Sequence, residues 1–186
     1  MMATFSREVA ILEHAHSYHE AAHAVFAVKV CGGKVWYVKI DHERGECSSS
    51  IPPGDGYSNH MRNAMRSLAG DIATSLQIAA LTGRADEIEH VEWSTVLEIA
   101  EMGDDVTFGS FEDYCNVVDS VKRMADDPFM GDEPEQVYGE LYRETVAEVR
   151  RLWPEITAVA EALRVRKALN GDEVSRLIES TRQGEE

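Results

Sequence analysis

The 186-residue chain has too few cysteines, in the wrong pattern, for a disulfide framework. Cys31, Cys47 and Cys115 are an odd number with no C-x-x-C pair, so neither a disulfide scaffold nor a cysteine zinc site is indicated. A reducing, cytoplasmic compartment fits such a chain. Basic charge is scarce too: 18 Lys and Arg against 34 Asp and Glu leave a net charge of −16. That balance opposes binding to a phosphate backbone or an anionic lipid surface, so neither nucleic acid nor membrane is expected as a partner. Long apolar runs are missing. The longest, Ala21 to Val30, is interrupted by His23 and Lys29 and is too short to span a bilayer. The opening residues, Met1 to Glu8, lack the basic segment and apolar run of a signal peptide. No G-x-x-x-x-G-K-[ST] occurs, which excludes P-loop nucleotide binding, and there is no internal repeat. The length suits one domain with a real core.

What is present centres on His19-Glu20-Ala21-Ala22-His23, the H-E-x-x-H pattern of zinc metallopeptidases. A helix brings positions i and i+4 onto one face, so His19 and His23 can converge on one ion. Glu20, one step round, can act as general base on a zinc-activated water. The flanks are Ala, Val and Phe nearly all round, which predicts a buried helix over Ser6 to Val30, ended by Cys31-Gly32-Gly33. Two buried imidazoles need partners, and a metal satisfies both. The competing reading is a pair of core histidines bonded to carbonyls or carboxylates. His14 and His16 lie on the same helix but off the i+4 register, which suits solvent-facing or supporting roles better than ligation.

Further along, Lys34 to Ile40 is rich in β-branched and aromatic residues. A glycine-bearing turn and Glu46 to Ile51 follow, which together predict a β-hairpin. A peptidase must hold its substrate extended beside the metal, and a free strand edge does this through main-chain hydrogen bonds. Glu46, Cys47, Ser48, Ser49 and Ser50 are the candidates for that edge; the alternative is a hairpin that only covers the core. Helices are predicted over Ser58–Leu81, Asp86–Met102, broken at Gly103–Asp105, and Ser110–Ala125. In the last of these Asp113 precedes Val117 by four and Val121 by eight, so its carboxylate points with the apolar stripe, whereas Glu112 aligns with Asn116, Asp119 and Arg123. A buried acid is costly unless paired or metal-bound. That singles out Asp113 as third ligand, against the reading of an ordinary carboxylate favoured by a helix N-terminus. After an acidic loop, Asp126 to Pro134, two helices are expected, Glu135–Trp153 and Pro154–Asn170, meeting where proline removes a donor. A short helix capped by Asp172 and a frayed tail from Arg182 close the chain.

Nearly the whole chain resembles the protease domain of the FtsH family, membrane-anchored AAA+ zinc metallopeptidases. Tyr18-His19-Glu20-Ala21-Ala22-His23-Ala24 resembles the family's Y-H-E-A-G-H-A, with Ala22 for its glycine. Lys34 to Ser50 stands where the family has a strand pair, and Leu68-Ala69-Gly70-Asp71-Ile72-Ala73 resembles its L-x-G-R-x-A-E-E helix. Ser110-Phe111-Glu112-Asp113, then Lys122-Arg123-Met124, resemble its S-N-D and R-R-M, and Ala168 to Val174 is similar to its closing T-L-x-G-x-E-I. The resemblance implies a mainly α, zincin-like domain of six to seven helices with one small hairpin after the first. It is read as a single domain, with the metal-site part over 1–126 and a C-terminal helical part over 127–186. It also implies zinc on His19, His23 and Asp113. The family's Glu falls on Thr74 here, so a carboxylate near the metal is expected to be missing. With no transmembrane or ATPase module in this sequence, the expected substrates are peptides or unfolded protein, unless a separate ATPase associates. A homo-oligomer is left open, since the family works as rings. The expected activity is that of a zinc metalloendopeptidase; the alternative is a non-catalytic module that binds extended segments or a partner ATPase.

Overall fold

Seven helices and a three-stranded sheet, with the first helix at their centre, are formed by the described residues of the computed structural model. It describes residues 2–41, 44–84, 90–102, 111–127 and 133–182, with side chains from His14 to Thr181. Helix α1 (Met2–Lys29) carries Ala21, Ala22, Ala24, Val25, Phe26 and Ala27 on every side, and all six are fully buried. The small alanines let neighbours approach closely, while Val25 and Phe26 each contribute roughly 1.5–3 kcal/mol by leaving water. Around α1 pack α2 (Gly56–Leu81), α6 (Trp153–Arg166) and two strands, β1 (Lys34–Ile40) and β2 (Gly45–Ser50). The helix ends at Gly32, whose φ of 65° is the left-handed conformation glycine adopts without penalty. Gly33 then donates its N–H to the Ala27 carbonyl at 2.7 Å and lies against the Ser50 carbonyl, leaving no room for a side chain. That turn sets the end of β2 beside the end of α1.

The sheet differs from the expected hairpin. Its order is β2-β1-β3, with both pairings antiparallel, and β3 (Ala168–Asn170) lies within the stretch expected to be helical to Asn170. Helix α6 stops at Arg166 because Lys167 turns left-handed, with φ 66°, and donates its N–H to the Leu163 carbonyl. The Lys167 carbonyl accepts the Ile40 N–H at 2.9 Å, which draws the next three residues onto Tyr37–Lys39. Leu169, 1% exposed, and Val38, fully buried, are paired across that register. The partner strand is remote in sequence, so local periodicity carries no sign of it. β2 is an edge strand: β1 pairs with one side, and among the described residues no strand pairs with the other.

Helix α2 begins where the Asp55 side chain accepts the Ser58 N–H at 2.8 Å, two residues before the expected start. Helix α3 (Trp93–Met102) is shorter than the expected Asp86–Met102. His90 to Glu92 are not helical, and the Val91 carbonyl takes the Tyr138 hydroxyl at 2.8 Å instead of a helical N–H; 86–89 lie outside the described residues. Helix α4 (Phe111–Ala125) starts one residue inside the expected element, Ser110 being outside the described set, as are 42–43, 103–105, 128–132 and the tail 183–186. Helix α5 (Pro134–Arg151) meets α6 at the buried Leu152, and Pro154 sits in the first turn of α6, where its missing N–H is not needed. Helix α7 (Gly171–Arg182) is capped by Asn170 rather than Asp172: Asn170 Oδ1 accepts the Glu173 N–H at 3.0 Å and Glu173 Oε2 accepts the Asn170 N–H at 2.8 Å. This reciprocal capping box satisfies two donors at once. One cluster of buried residues runs from Tyr18 on α1 to Ile178 on α7.

Candidate metal centre

Near the middle of α1 the apolar surround is broken by three polar side chains. His19, Glu20 and His23 are 9%, 7% and 7% exposed, and Asp113 in the first turn of α4, at 9%, faces them. The i, i+4 spacing stacks the two rings edge-to-face with centroids 4.6 Å apart. Their Nε2 atoms lie 2.9 Å from each other, and Asp113 Oδ2 lies 3.3 Å from His19 Nε2 and 3.1 Å from His23 Nε2. Among the described residues this is the one group of three or more His, Cys, Asp or Glu able to share an ion. His14 and His16 are not in it.

The outer ring nitrogens explain why the inner ones converge. His23 Nδ1 donates to the Arg66 carbonyl at 2.8 Å, and a carbonyl can only accept, so the proton is on Nδ1. His19 Nδ1 faces Asp71 Oδ1 at 3.4 Å, which holds its proton in the same way. In neutral rings both Nε2 lone pairs are then aimed at a carboxylate oxygen. Three electron-rich atoms at this range repel unless something positive sits among them. The titration shifts agree. Burial alone would lower the His19 pKa, yet Asp113 and Asp71 outweigh it and hold it well above the usual range. Burial would likewise raise Asp113, yet the two histidines hold it well below the carboxylate range. The pocket selects positive charge. Two imidazoles and one carboxylate match a donor set that divalent metal ions accept, and the separations are close to the roughly 3.3 Å edge of a tetrahedron with ~2.0 Å bonds.

Glu20 is held beside this group. Burial pushes its carboxyl pKa up, Asp113 and Glu46 add to the rise, and the two histidines counter it. Its carboxylate lies flat against Gly45 at the start of β2, where a Cβ would come 2.5 Å from Oε1. β2 therefore begins at the general-base candidate and runs on from there. Along it, Glu46 pairs with Lys39 Nζ at 2.6 Å and with the Tyr37 hydroxyl, on the exposed face of the sheet. Cys47 turns the other way, and burial, with the charge of Glu20 added, raises its thiol to about 12. Ser49 Oγ accepts from Arg66 Nη1 at 2.8 Å. The structure thus brings His19, His23 and Asp113 together with Glu20 alongside, and it sets the Glu46–Ser50 strand at the margin of the site with its outer edge unpaired by any described strand.

Three contributors escaped the sequence reading. Asp71 is the first. The missing carboxylate expected from Thr74 is supplied from one turn earlier on α2, while Thr74 Oγ1 bonds to the Ala15 carbonyl at 3.4 Å. The signal for it was of the kind that found Asp113, an acid flanking the apolar stripe of Leu68 and Ile72. Replacing Asp71 with Asn should weaken zinc affinity about 10- to 100-fold while the fold is kept, as read by chelator competition and circular dichroism. Unchanged affinity would remove Asp71 from the site. Gly70 is the second: a Cβ there would meet the His19 ring at 2.7–2.8 Å. Gly70→Ala should therefore turn the ring off the shared position and lower zinc affinity at least tenfold, with little change in helix content. Equal zinc affinity in the variant would show that the ring tolerates the methyl. Arg66, whose main chain orients His23, is the third, and no sequence pattern announces a backbone acceptor.

No protein-family model matches the chain, and no curated protein matches it in sequence. No helix among the described residues is long and apolar enough to cross a membrane.

Proposed function

We propose that this chain is a zinc metalloendopeptidase with a zincin-like domain similar to that of the FtsH proteases, acting on unfolded or flexible polypeptides. The observation that carries the reading is the convergence of His19 Nε2, His23 Nε2 and Asp113 Oδ2, with both outer ring nitrogens already engaged. His19, His23 and Asp113 would hold the ion, and Asp71 and the Arg66 carbonyl would keep the rings in place. Bound there, zinc supplies a Lewis acid that polarises the scissile carbonyl and acidifies water. The rest falls to the chain. A buried carboxylate with a raised pKa is a stronger base than an exposed one, so Glu20 takes a proton from water as its oxygen attacks the carbonyl carbon. Glu20 then returns the proton to the amine nitrogen as the C–N bond breaks. The edge of β2 that no described strand pairs, from Glu46 to Ser50, offers main-chain donors and acceptors to an extended substrate. Such a strand-like substrate has to be unfolded locally, which is the reason to expect peptides, flexible segments or chains delivered by a separate ATPase.

The experiment that tests this reading is a zinc measurement on purified protein, joined to cleavage of unfolded casein before and after the metal is stripped. About one zinc per chain is expected, with cleavage that disappears on chelation and returns with zinc. A chain that takes up no zinc at neutral pH would overturn the proposal.

A further inference from the structure

Four arginines meet acids: Arg123 with Asp119, Arg151 with Glu148, Arg164 with Glu161 and Arg166 with Glu173. Arg143 and Arg176 are exposed and donate to main-chain carbonyls, so water can solvate their charge. Arg66 is half-buried, and among the described residues no carboxylate comes within ion-pair distance of it. Its side-chain partner there is Ser49 Oγ, bonded by Nη1 at 2.8 Å. A guanidinium has five N–H donors in a planar fork, and one hydroxyl uses a single one of them. Half-burial without an anion leaves the charge short of the partner that such positions usually have.

Its place gives the remaining N–H donors of Arg66 a use. The main-chain carbonyl of Arg66 orients His23, so the guanidinium starts from the wall of the metal centre. It ends on β2, the strand whose edge would align an extended substrate. Arg62, one turn earlier, extends the same strip. Its Nε donates to the Ser58 carbonyl at 3.1 Å, and its guanidinium packs on Gly54 in the loop from β2 to α2. The Asp55 carboxylate, whose charge Arg62 favours only weakly, is used in capping α2 through the Ser58 N–H. Two arginines without an ion-pair partner among the described residues thus lie along the chain from Ser49 near the end of β2 to Gly54 in the loop that follows.

We propose that Arg66, supported by Arg62, forms a carboxylate-binding subsite beside the cleavage position, so that the chain prefers peptides with an acidic side chain or a free C-terminal carboxylate near the bond to be cut. The inference rests on the peptidase reading and names the substrate class within it. A carboxylate matches the guanidinium fork with two parallel hydrogen bonds, and partial burial strengthens both. The negative surface elsewhere repels acidic peptides at long range, so the preference is a contact effect that survives physiological salt, where longer-range fields are screened beyond about 8 Å.

The test measures peptide binding to zinc-loaded Glu20→Gln protein by fluorescence anisotropy. The probes are labelled unstructured decapeptides in which one position at a time is Glu or Gln, each made with a free or an amidated C-terminus. Binding about 10- to 100-fold tighter for the carboxylate form at one position or at the free terminus is expected, the range of a charge-assisted pair. Which of the two prevails tells a side-chain subsite from a C-terminal one. Adding Arg66→Gln should bring that ratio close to 1, and Arg66→Lys should restore part of it. No carboxylate preference with Arg66 present, or a preference that survives Arg66→Gln, overturns the inference and leaves the peptidase reading intact. Equal weakening of acid and amide peptides by Arg66→Gln marks it as a strut between α2 and β2 and overturns the inference as well. Failure of every peptide to bind, from a protein that still cleaves nothing in its Glu20 form, takes down both.

Discussion

Zinc-loaded Glu20→Gln protein should keep its metal and cleave unfolded casein at least about a hundredfold more slowly than the parent, within the 10²–10⁴ range of a lost general base. Glutamine has nearly the shape of glutamate and fits the same slot against Gly45, where no larger neighbour is tolerated. It cannot accept the proton that the attacking water must lose. Glu20 is not one of the three convergent ligand atoms, so zinc content should stay at the parental value. The assay is casein cleavage followed by new amino termini, with metal analysis on the same preparation. Parental rates from the Gln variant would remove Glu20 from the mechanism. Zinc bound, peptides bound and no turnover even in the parent would favour the other reading, a non-catalytic module that holds extended segments.

Asp113→Ala should empty the site. It removes the sole carboxylate of the ligand set and leaves two imidazoles on one helix, too few for a tetrahedral ion. Zinc retained after equilibration with a moderate chelator should fall from about one per chain to near zero. The loss also appears as stability. Zinc at a thousandfold excess over its dissociation constant stabilises a native chain by about 4 kcal/mol, which at this size is roughly 10 °C in Tm. The parent should show that shift on zinc addition, and the Asp113 variant should show little of it. Removing the acid also leaves His19 without its strongest support for a proton, so the metal-free variant loses part of the attraction that joins α4 to α1. A variant with parental zinc content and the full thermal shift would mean that another acid completes the site, and the assignment of Asp113 would fall.

Much of this site is readable from local spacing because helices turn i, i+4 neighbours into a face. His19 and His23 needed only that rule. Asp113 needed one more, the cost of burying an acid, and the two rules together joined residues ninety positions apart. The same reasoning passed over Asp71 because Ile72 and Leu68 already explained the helix as core, and a polar residue at the edge of an apolar stripe looks like a boundary. β3 was missed for another reason. Ala168-Leu169-Asn170 continues a helical pattern, and only the left-handed turn at Lys167 and the open side of β1 turn it into a strand.

The amino-acid order alone determined a mainly helical chain, the buried first helix, the hairpin that follows it and a pair of imidazoles that need a shared partner. These depend on interactions within a few residues, where periodicity and propensity act. Tertiary structure alone decided which groups stand behind the two imidazoles: the Asp71 carboxylate on one ring, the Arg66 carbonyl on the other, and Gly45 and Gly70 leaving room for Glu20 and His19. Those depend on how α1, α2, α4 and β2 are packed, and local spacing shows that a residue is buried without showing which distant group it meets.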